Sequence, residues 1–439
     1  METEERQKAE KIMREKFLQF HSFFQCSDRG KNGAFTIFLI AVNRLHEVSD
    51  LYGFEAGEAL LQDRLRELRR AVDKSGKVFQ TGRGKFVVLT GELTPNQAGE
   101  RGQQLLQRIR SPFLWKEKAC FITANIGIVL VPEETGKIEK CMADAEIALY
   151  DSCRKGECRI SLFCSSMRKM MTRQVQVETA LEQALEQQEL QCVFQPWVNV
   201  DTGRICAAEA LIRWESPSLG KVSPEEFIPL LEKSGLIGPF DFWMLESVCV
   251  QIRRWRENGI PPVPVSVNIS AVDLEQDHFY ERVMEIVTDN HVEPRDIGLE
   301  VTERILMTPD SCCVRLLNRF RMEGFTILVD DFGVQYSSLQ YVGSLPVDII
   351  KIDRSFIQRM STDESYKKIV KSMIFLAREL HIKTVGEGVE QAEEAEVLKN
   401  YQCDMIQGFL YYHPMHADQL GRLLSKERSS REGKGRSHL

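Results

Sequence analysis

The stretch Thr326–Leu339 reads TILVDDFGVQYSSL. Thr326, Ile327, Leu328 and Val329 prefer an extended strand. That strand runs straight into two adjacent carboxylates, Asp330 and Asp331, whose like charges repel unless a cation compensates them. The same theme recurs on both sides. LQCVFQPWVNV (190–200), ICAAEALIRWE (205–215), PVSVNIS (264–270), DIGLEVTE (296–303), DIIKIDRSF (348–356), KTVGEGVE (383–390) and DMIQGFLY (404–411) also read as strands. Helical segments such as FDFWMLESVCVQIRRWREN and ESYKKIVKSMIFLAREL separate most of them. Strand–helix alternation over this length predicts an α/β chain with a (β/α) barrel in its second half.

In such a barrel the active site lies at the C-terminal ends of the strands. Here those ends carry Glu209, Asn268, Glu300, Asp330 with Asp331, Lys351, Glu387 and Gln407. One polar strand end is ordinary turn chemistry, but seven together are not. Carboxylates in that number cannot all stay ionised without cations. Oxygen ligands with no His or Cys among them favour Mg²⁺ or Mn²⁺ over zinc. Two such ions, about 3.5–4 Å apart and bridged by Asp330, would activate a water and steady an in-line displacement at phosphorus. Lys351 would orient that water or neutralise a phosphoryl oxygen. The residues thus point to a two-metal phosphodiesterase. The alternative is a set of buried salt bridges with Arg213 and Lys351.

At 439 residues, two domains are expected. A net charge of -7 argues against a nucleic-acid polymer as partner. No apolar run is long enough for a membrane span, and the charged start METEERQKAEKIMREK has no signal-peptide core. The twelve cysteines are scattered without a CxxC pair, which suits reduced thiols in a cytoplasmic protein. Residues 1–33 include an amphipathic helix. Residues 34–165 mix strands and helices, with a hairpin turn at Gly82–Gly84. A helix over 166–188 links the halves, the barrel domain spans 178–424, and the polar tail 425–439 reads as disordered.

EALIRW (209–214), SVNIS (266–270), LEVTE (299–303), DDFG (330–333), KIDRSF (351–356), GEGVE (386–390) and QGF (407–409) occur in that order. Together they resemble the EAL-domain cyclic-di-GMP phosphodiesterases, whose fold is a modified (β/α)8 TIM-like barrel. The resemblance implies hydrolysis of cyclic di-GMP to linear pGpG with two Mg²⁺ or Mn²⁺ ions. It implies that Glu209, Asn268, Glu300 and Asp330 hold one ion, and that Asp330, Asp331 and Glu387 hold the other. Lys351 then touches the attacking water, and Glu390 supports the site from behind. Gln195, Arg213 and Gln407 contact substrate or line the site, Glu303 anchors the loop after Asp331, and a homodimer is expected. That loop departs from the family's DDFGTGYSS, because Val334 and Gln335 replace a threonine and a glycine.

The first half resembles a GGDEF domain, through ADAEIALYDSCRKG and ANIGI. Its signature turn is degenerate, GRGKF at Gly82–Phe86, and Ala41 and Asn43 stand where metal-binding aspartates usually lie. The resemblance therefore implies no cyclase activity. A non-catalytic cyclic-di-GMP receptor is the alternative for the whole chain; silent relatives of that kind lack metal ligands that this chain keeps.

Overall fold

The computed structural model describes residues 34–72, 76–132, 138–306, 312–334 and 346–435. The chain divides into two compact units at Val175 and Gln176. The N-terminal helix expected over 1–33 lies outside the described residues.

The first unit is built on a five-stranded sheet, ordered β2-β3-β1-β6-β7. Its strands are β1 (Phe35–Val42), β2 (Lys77–Gly82), β3 (Lys85–Gly91), β6 (Ala124–Val131) and β7 (Ile160–Leu162); β4 (Phe113–Trp115) and β5 (Lys118–Cys120) form a separate ribbon. Side chains alternate along β1 and serve two cores. Phe38 and Ile40 pack with Leu60, Leu65 and Leu105 of the helices Phe54–Ala71 and Pro95–Ile109. Ile37 and Leu39 pack with Cys141, Ala145 and Leu149 of the helix Ile138–Arg154. The expected β2–β3 hairpin is present, and Gly84 takes φ +76 at its turn.

The second unit is a closed barrel of β8 (Leu190–Asn199), β9 (Ile205–Ser216), β11 (Val265–Asn268), β12 (Ile297–Thr302), β13 (Thr326–Phe332), β14 (Ile349–Ile352), β15 (Lys383–Gly386) and β16 (Met405–Ile406). β10 (Gly220–Val222) extends β9 as a hairpin. All eight barrel strands were expected from the sequence. β8, however, runs antiparallel to both its neighbours. The reason is local: a short turn joins β8 to β9 in place of a crossover helix, with Thr202 N–H donating to Asn199 Oδ1 at 2.9 Å and Gly203 at φ +66.

Two further expectations are corrected. The linking helix is Ser165–Ala184, somewhat earlier than 166–188. The tail is helical to Gly435, as part of Ala417–Gly435, where 425–439 reads as disordered. Composition could not show what ties it down. Leu420 and Leu424 are buried, Ile205 N–H donates to the Glu427 carboxylate at 3.2 Å, and Arg428 donates to Gly259 O at 3.1 Å. The cysteines among the described residues are free thiols.

One layer positions the site. Trp197, Leu328, Ile349, Val385 and Met405 form an apolar cluster, with Ala207 packed against it. Gly298 makes room for it, since a Cβ there would stand 2.7 Å from Leu328 Cδ1. Each of these residues lies two positions from a polar residue on its own strand line: Gln195, Asp330, Lys351, Glu387, Gln407, Glu209 and Glu300. Strand alternation therefore stacks the polar set directly on the apolar layer.

Candidate active site

Lys351 is the centre of the site. It is 1% exposed, on the short strand β14, where Ile349 and Ile352 fix the backbone in the core. Its Nζ lies 2.6 Å from Glu300 Oε2, 2.7 Å from Glu387 Oε1, 3.1 Å from Asp330 Oδ1 and 3.3 Å from Glu209 Oε2. Burial alone would lower the lysine's pKa. The four carboxylates outweigh it, led by Glu209 and Glu300, and hold the ammonium well above its ordinary value. Burial, then Glu209, pushes Glu300 up to about 8, against the pull of Lys351. Burial likewise raises Glu387 well above the carboxylate range, opposed by Lys351 and reinforced by Asp330.

Amides flank the acids. Asn268, at the end of β11, donates to Glu209 Oε1 at 3.0 Å. Gln407 Nε2 donates to Glu209 Oε2 at 2.8 Å and to Gln195 Oε1 at 3.0 Å, and Gln195 donates to Tyr412 O at 3.2 Å. The register supports this, because Gln195 pairs with Glu209 across β8 and β9.

The doubled aspartate has a backbone explanation. On a regular strand, neighbours point to opposite faces, so Asp330 and Asp331 could not share one site. The β13–β14 register shifts between Val329 and Phe332, and Asp331 takes φ +53. The bulge re-aims Asp331. As a result Asp330, Asp331 and Glu387 each offer an oxygen, all within 4.8 Å of one another. Gly333, at φ +96, follows immediately; its N–H donates to Glu303 Oε2 at 3.1 Å, and a Cβ there would stand 2.4 Å from Met373 Cε. Val334 is exposed, and Gln335 lies outside the described residues.

The donor set fits divalent ions. It is made of carboxylate and amide oxygens, as hard cations require. Glu300 Oε1 and Gln407 Oε1 are buried and accept no hydrogen bond, and Asp330 Oδ1 has only its ion pair with Lys351.

Two expected residues stand apart. Glu390 is exposed, its backbone N–H donates to Glu394 Oε2 at 2.9 Å, and none of the described hydrogen bonds or ion pairs joins it to the cluster. Arg213 is half-buried on β9, four residues beyond Glu209 and so on the same strand face, and donates to Ile212 O at 2.8 Å. Burial pulls its guanidinium down while Glu209 opposes that shift. It makes none of the described ion pairs with the cluster. The lysine's role as counter-ion to four carboxylates was only half read from the sequence. The charges of Asp353 and Arg354, both in KIDRSF, also reach Asp331, and the motif alone shows no such role for them.

In the first unit, the signature turn carries cations in place of acids. Lys85 pairs with Glu146 at 2.9 Å, and Asn43 Nδ2 donates to Asn125 Oδ1 at 2.7 Å and to Thr123 Oγ1 at 3.1 Å. Arg83 donates to Ser49 Oγ at 3.3 Å and lies over the Phe54 ring, 5.0 Å from its centroid.

A closed barrel with one antiparallel strand and an acidic mouth around a buried lysine defines a class, and comparison with known proteins agrees. The EAL domain profile matches residues 178–414, more than half of the sequence, and the chain belongs to the EAL domain family. The profile of the diguanylate cyclase GGDEF domain matches residues 14–159. Among curated proteins, the bifunctional diguanylate cyclase/cyclic di-GMP phosphodiesterase MucR of Pseudomonas aeruginosa is 33% identical over 386 residues, covering 88% of this chain and 56% of that protein. The cyclic di-GMP phosphodiesterase NbdA of the same organism is 30% identical over 390 residues, covering 89% and 50%. The chain thus spans about half the length of these relatives. Among solved structures, the PaMucR phosphodiesterase in complex with c-di-GMP superimposes with a TM-score of 0.54 at 38% identity, covering 56% of this chain and 99% of that one. Among the described residues, no helix is long and apolar enough to cross a membrane.

Proposed function

We propose that the second unit hydrolyses cyclic di-GMP to linear pGpG with two divalent ions, Mg²⁺ or Mn²⁺, and that the first unit is not a cyclase. The observation that carries this reading is the convergence of Asp330, Asp331 and Glu387 within 4.8 Å beside a second acidic set at Lys351. Asp330, Asp331 and Glu387 would hold one ion; Glu209, Asn268, Glu300 and Asp330 would hold the other. When bound, such ions supply Lewis-acid activation of water and neutralise phosphoryl charge.

The chain's own residues do the rest. Lys351 offers an ammonium aimed among the acids, able to orient water and to meet charge building on a phosphoryl oxygen. Gln407 donates to the Glu209 carboxylate, Gln195 accepts from Gln407, and both present amide groups at the mouth. Arg213, farther out on the same face of β9, is placed to meet a substrate phosphate. Glu303 holds the Gly333 amide and thereby the bulge that aims Asp331.

The names of the relatives, which act as cyclic-di-GMP phosphodiesterases, support the substrate class. In the first unit, Ala41, Asn43, Gly84 and Lys85 leave no carboxylate pair for the ions that GTP cyclisation needs, so a scaffolding or pairing role fits better. The homodimer belongs to the same reading. Product analysis of the purified chain given cyclic di-GMP, with and without Mn²⁺, tests it.

A further inference from the structure

Behind Asn268 lies a second acidic pair that the proposed chemistry does not use. Asp273, in the helix Ala271–Leu274, is fully buried. Asp241 lies in the helix Ile237–Glu257, which packs directly on it, and accepts from Ser270, the N-cap of the short helix that carries Asp273. Among the described residues, the hydrogen bonds to the two carboxyls come from donors of the protein. Gln276 Nε2 donates to Asp273 Oδ1 at 2.9 Å, and the Ser270 backbone N–H donates to Asp241 Oδ2 at 2.8 Å. Asp273 Oδ2 is buried and receives no hydrogen bond from any fixed donor. Gly238, one turn before Asp241, permits this closeness, since a Cβ there would stand 2.7 Å from Asp273 Oδ1.

The charges around the pair do not favour two anions. Among the described residues, neither carboxyl pairs with a cation, and the further charge bearing on Asp241 is the carboxylate of Glu232. Burial pushes both groups up, Asp241 well above the carboxylate range, where the neighbouring Asp273 adds to it. One proton between the two carboxyls satisfies the orphaned oxygen and removes the repulsion.

The pair faces a decisive turn. Ser270, which it grips, is two residues beyond Asn268, whose amide donates to Glu209. Between them, Ile269 N–H donates to Glu300 O at 2.9 Å. We propose that Asp241 and Asp273 form a carboxylic acid–carboxylate clamp that positions the Asn268–Ser270 turn, and with it one wall of the metal site. They are positioning residues; neither touches the reacting atoms. The second half of the proposal rests on reading Asn268 as a metal ligand.

Linkage sets the sign of the pH effect. A carboxyl whose pKa is raised by folding keeps its proton where the unfolded chain has lost it. Stability therefore falls as pH rises from about 4 toward the raised folded value. Asp273→Asn supplies a permanent N–H donor to Asp241 and has no such proton to lose. Its melting temperature should match wild type near pH 4.5 and exceed it by a margin that widens up to pH 8. Calorimetric titration with Mn²⁺ at pH 7.5 gives the second readout, on the full chain. Asp241→Leu, which strips the acceptor from Ser270, should weaken Mn²⁺ binding by at least about tenfold; Asp241→Asn should restore it.

A margin that stays flat or reverses with pH overturns the shared proton. A folded Asp241→Leu that binds Mn²⁺ like wild type overturns the positioning role. If Asp241→Leu does not fold, failure of Asp241→Asn to bind as wild type does overturns it instead. A wild type that binds no Mn²⁺ at all refutes the metal reading and the positioning role with it, while the melting curves still decide whether the proton is shared.

Discussion

Lys351 Nζ lies within 3.3 Å of oxygens from four acids, Glu209, Glu300, Asp330 and Glu387, each from a different strand line. One ammonium cannot balance four carboxylates, so the residual charge invites further cations. Two predictions belong at this scale. Glu209→Ala or Asp330→Ala should abolish hydrolysis without unfolding the barrel, because each would remove a proposed ligand at the mouth and leave the apolar layer beneath intact; circular dichroism beside product assays checks both. Lys351→Met should cut kcat while cyclic di-GMP still binds. It should also destabilise the chain by about 3–5 kcal/mol, as breaking a buried ion pair does. Because the loss is of positive charge, Mn²⁺ should recover more melting temperature in this variant than in wild type. A variant with raised KM and unchanged kcat would move Lys351 into the substrate-contacting set.

At the scale of the element, the bulge on β13 is what makes DDFG more than a strand end. Asp331 at φ +53 and Gly333 at φ +96 are conformations that the neighbouring packing must impose. Glu303→Ala should therefore lower activity severalfold, although Glu303 is not among the proposed ligands, because the Gly333 amide loses its acceptor. Gly333→Ala should do more damage, since its Cβ would also press on Met373 and Phe356. Steady-state kinetics on both variants, with no loss in either, would reduce the loop to a passive connection. The eight strands were legible as apolar runs, and seven of them as runs interrupted by a charged or amide residue, although Glu209 lies inside β9 (Ile205–Ser216) and not at its end, as Gln195 lies inside β8 (Leu190–Asn199). The bulge was not, because nothing in VDDF distinguishes a regular strand end from a kinked one. The antiparallel course of β8 was hidden in the missing helix between Val200 and Ile205. The helical tail was hidden because composition registers charge but not the Glu427 and Arg428 contacts that hold it.

At the scale of the whole molecule, the proposal assigns the two units opposite roles toward one nucleotide. The first keeps its five-stranded sheet and both cores, yet its turn now holds Arg83 and Lys85, paired with Ser49 and Glu146. Given GTP and Mg²⁺, the purified chain should make no cyclic di-GMP, and any metal-dependent synthesis would overturn that assignment. The second keeps every carboxylate its family resemblance implies. The most direct test of the central claim is chromatographic product analysis after the full chain is incubated with cyclic di-GMP and Mn²⁺ or Mg²⁺. Linear pGpG should accumulate, should stop when EDTA is added, and should be absent with Glu209→Ala. Intact cyclic di-GMP after prolonged incubation with either ion, from a folded protein, would contradict the account.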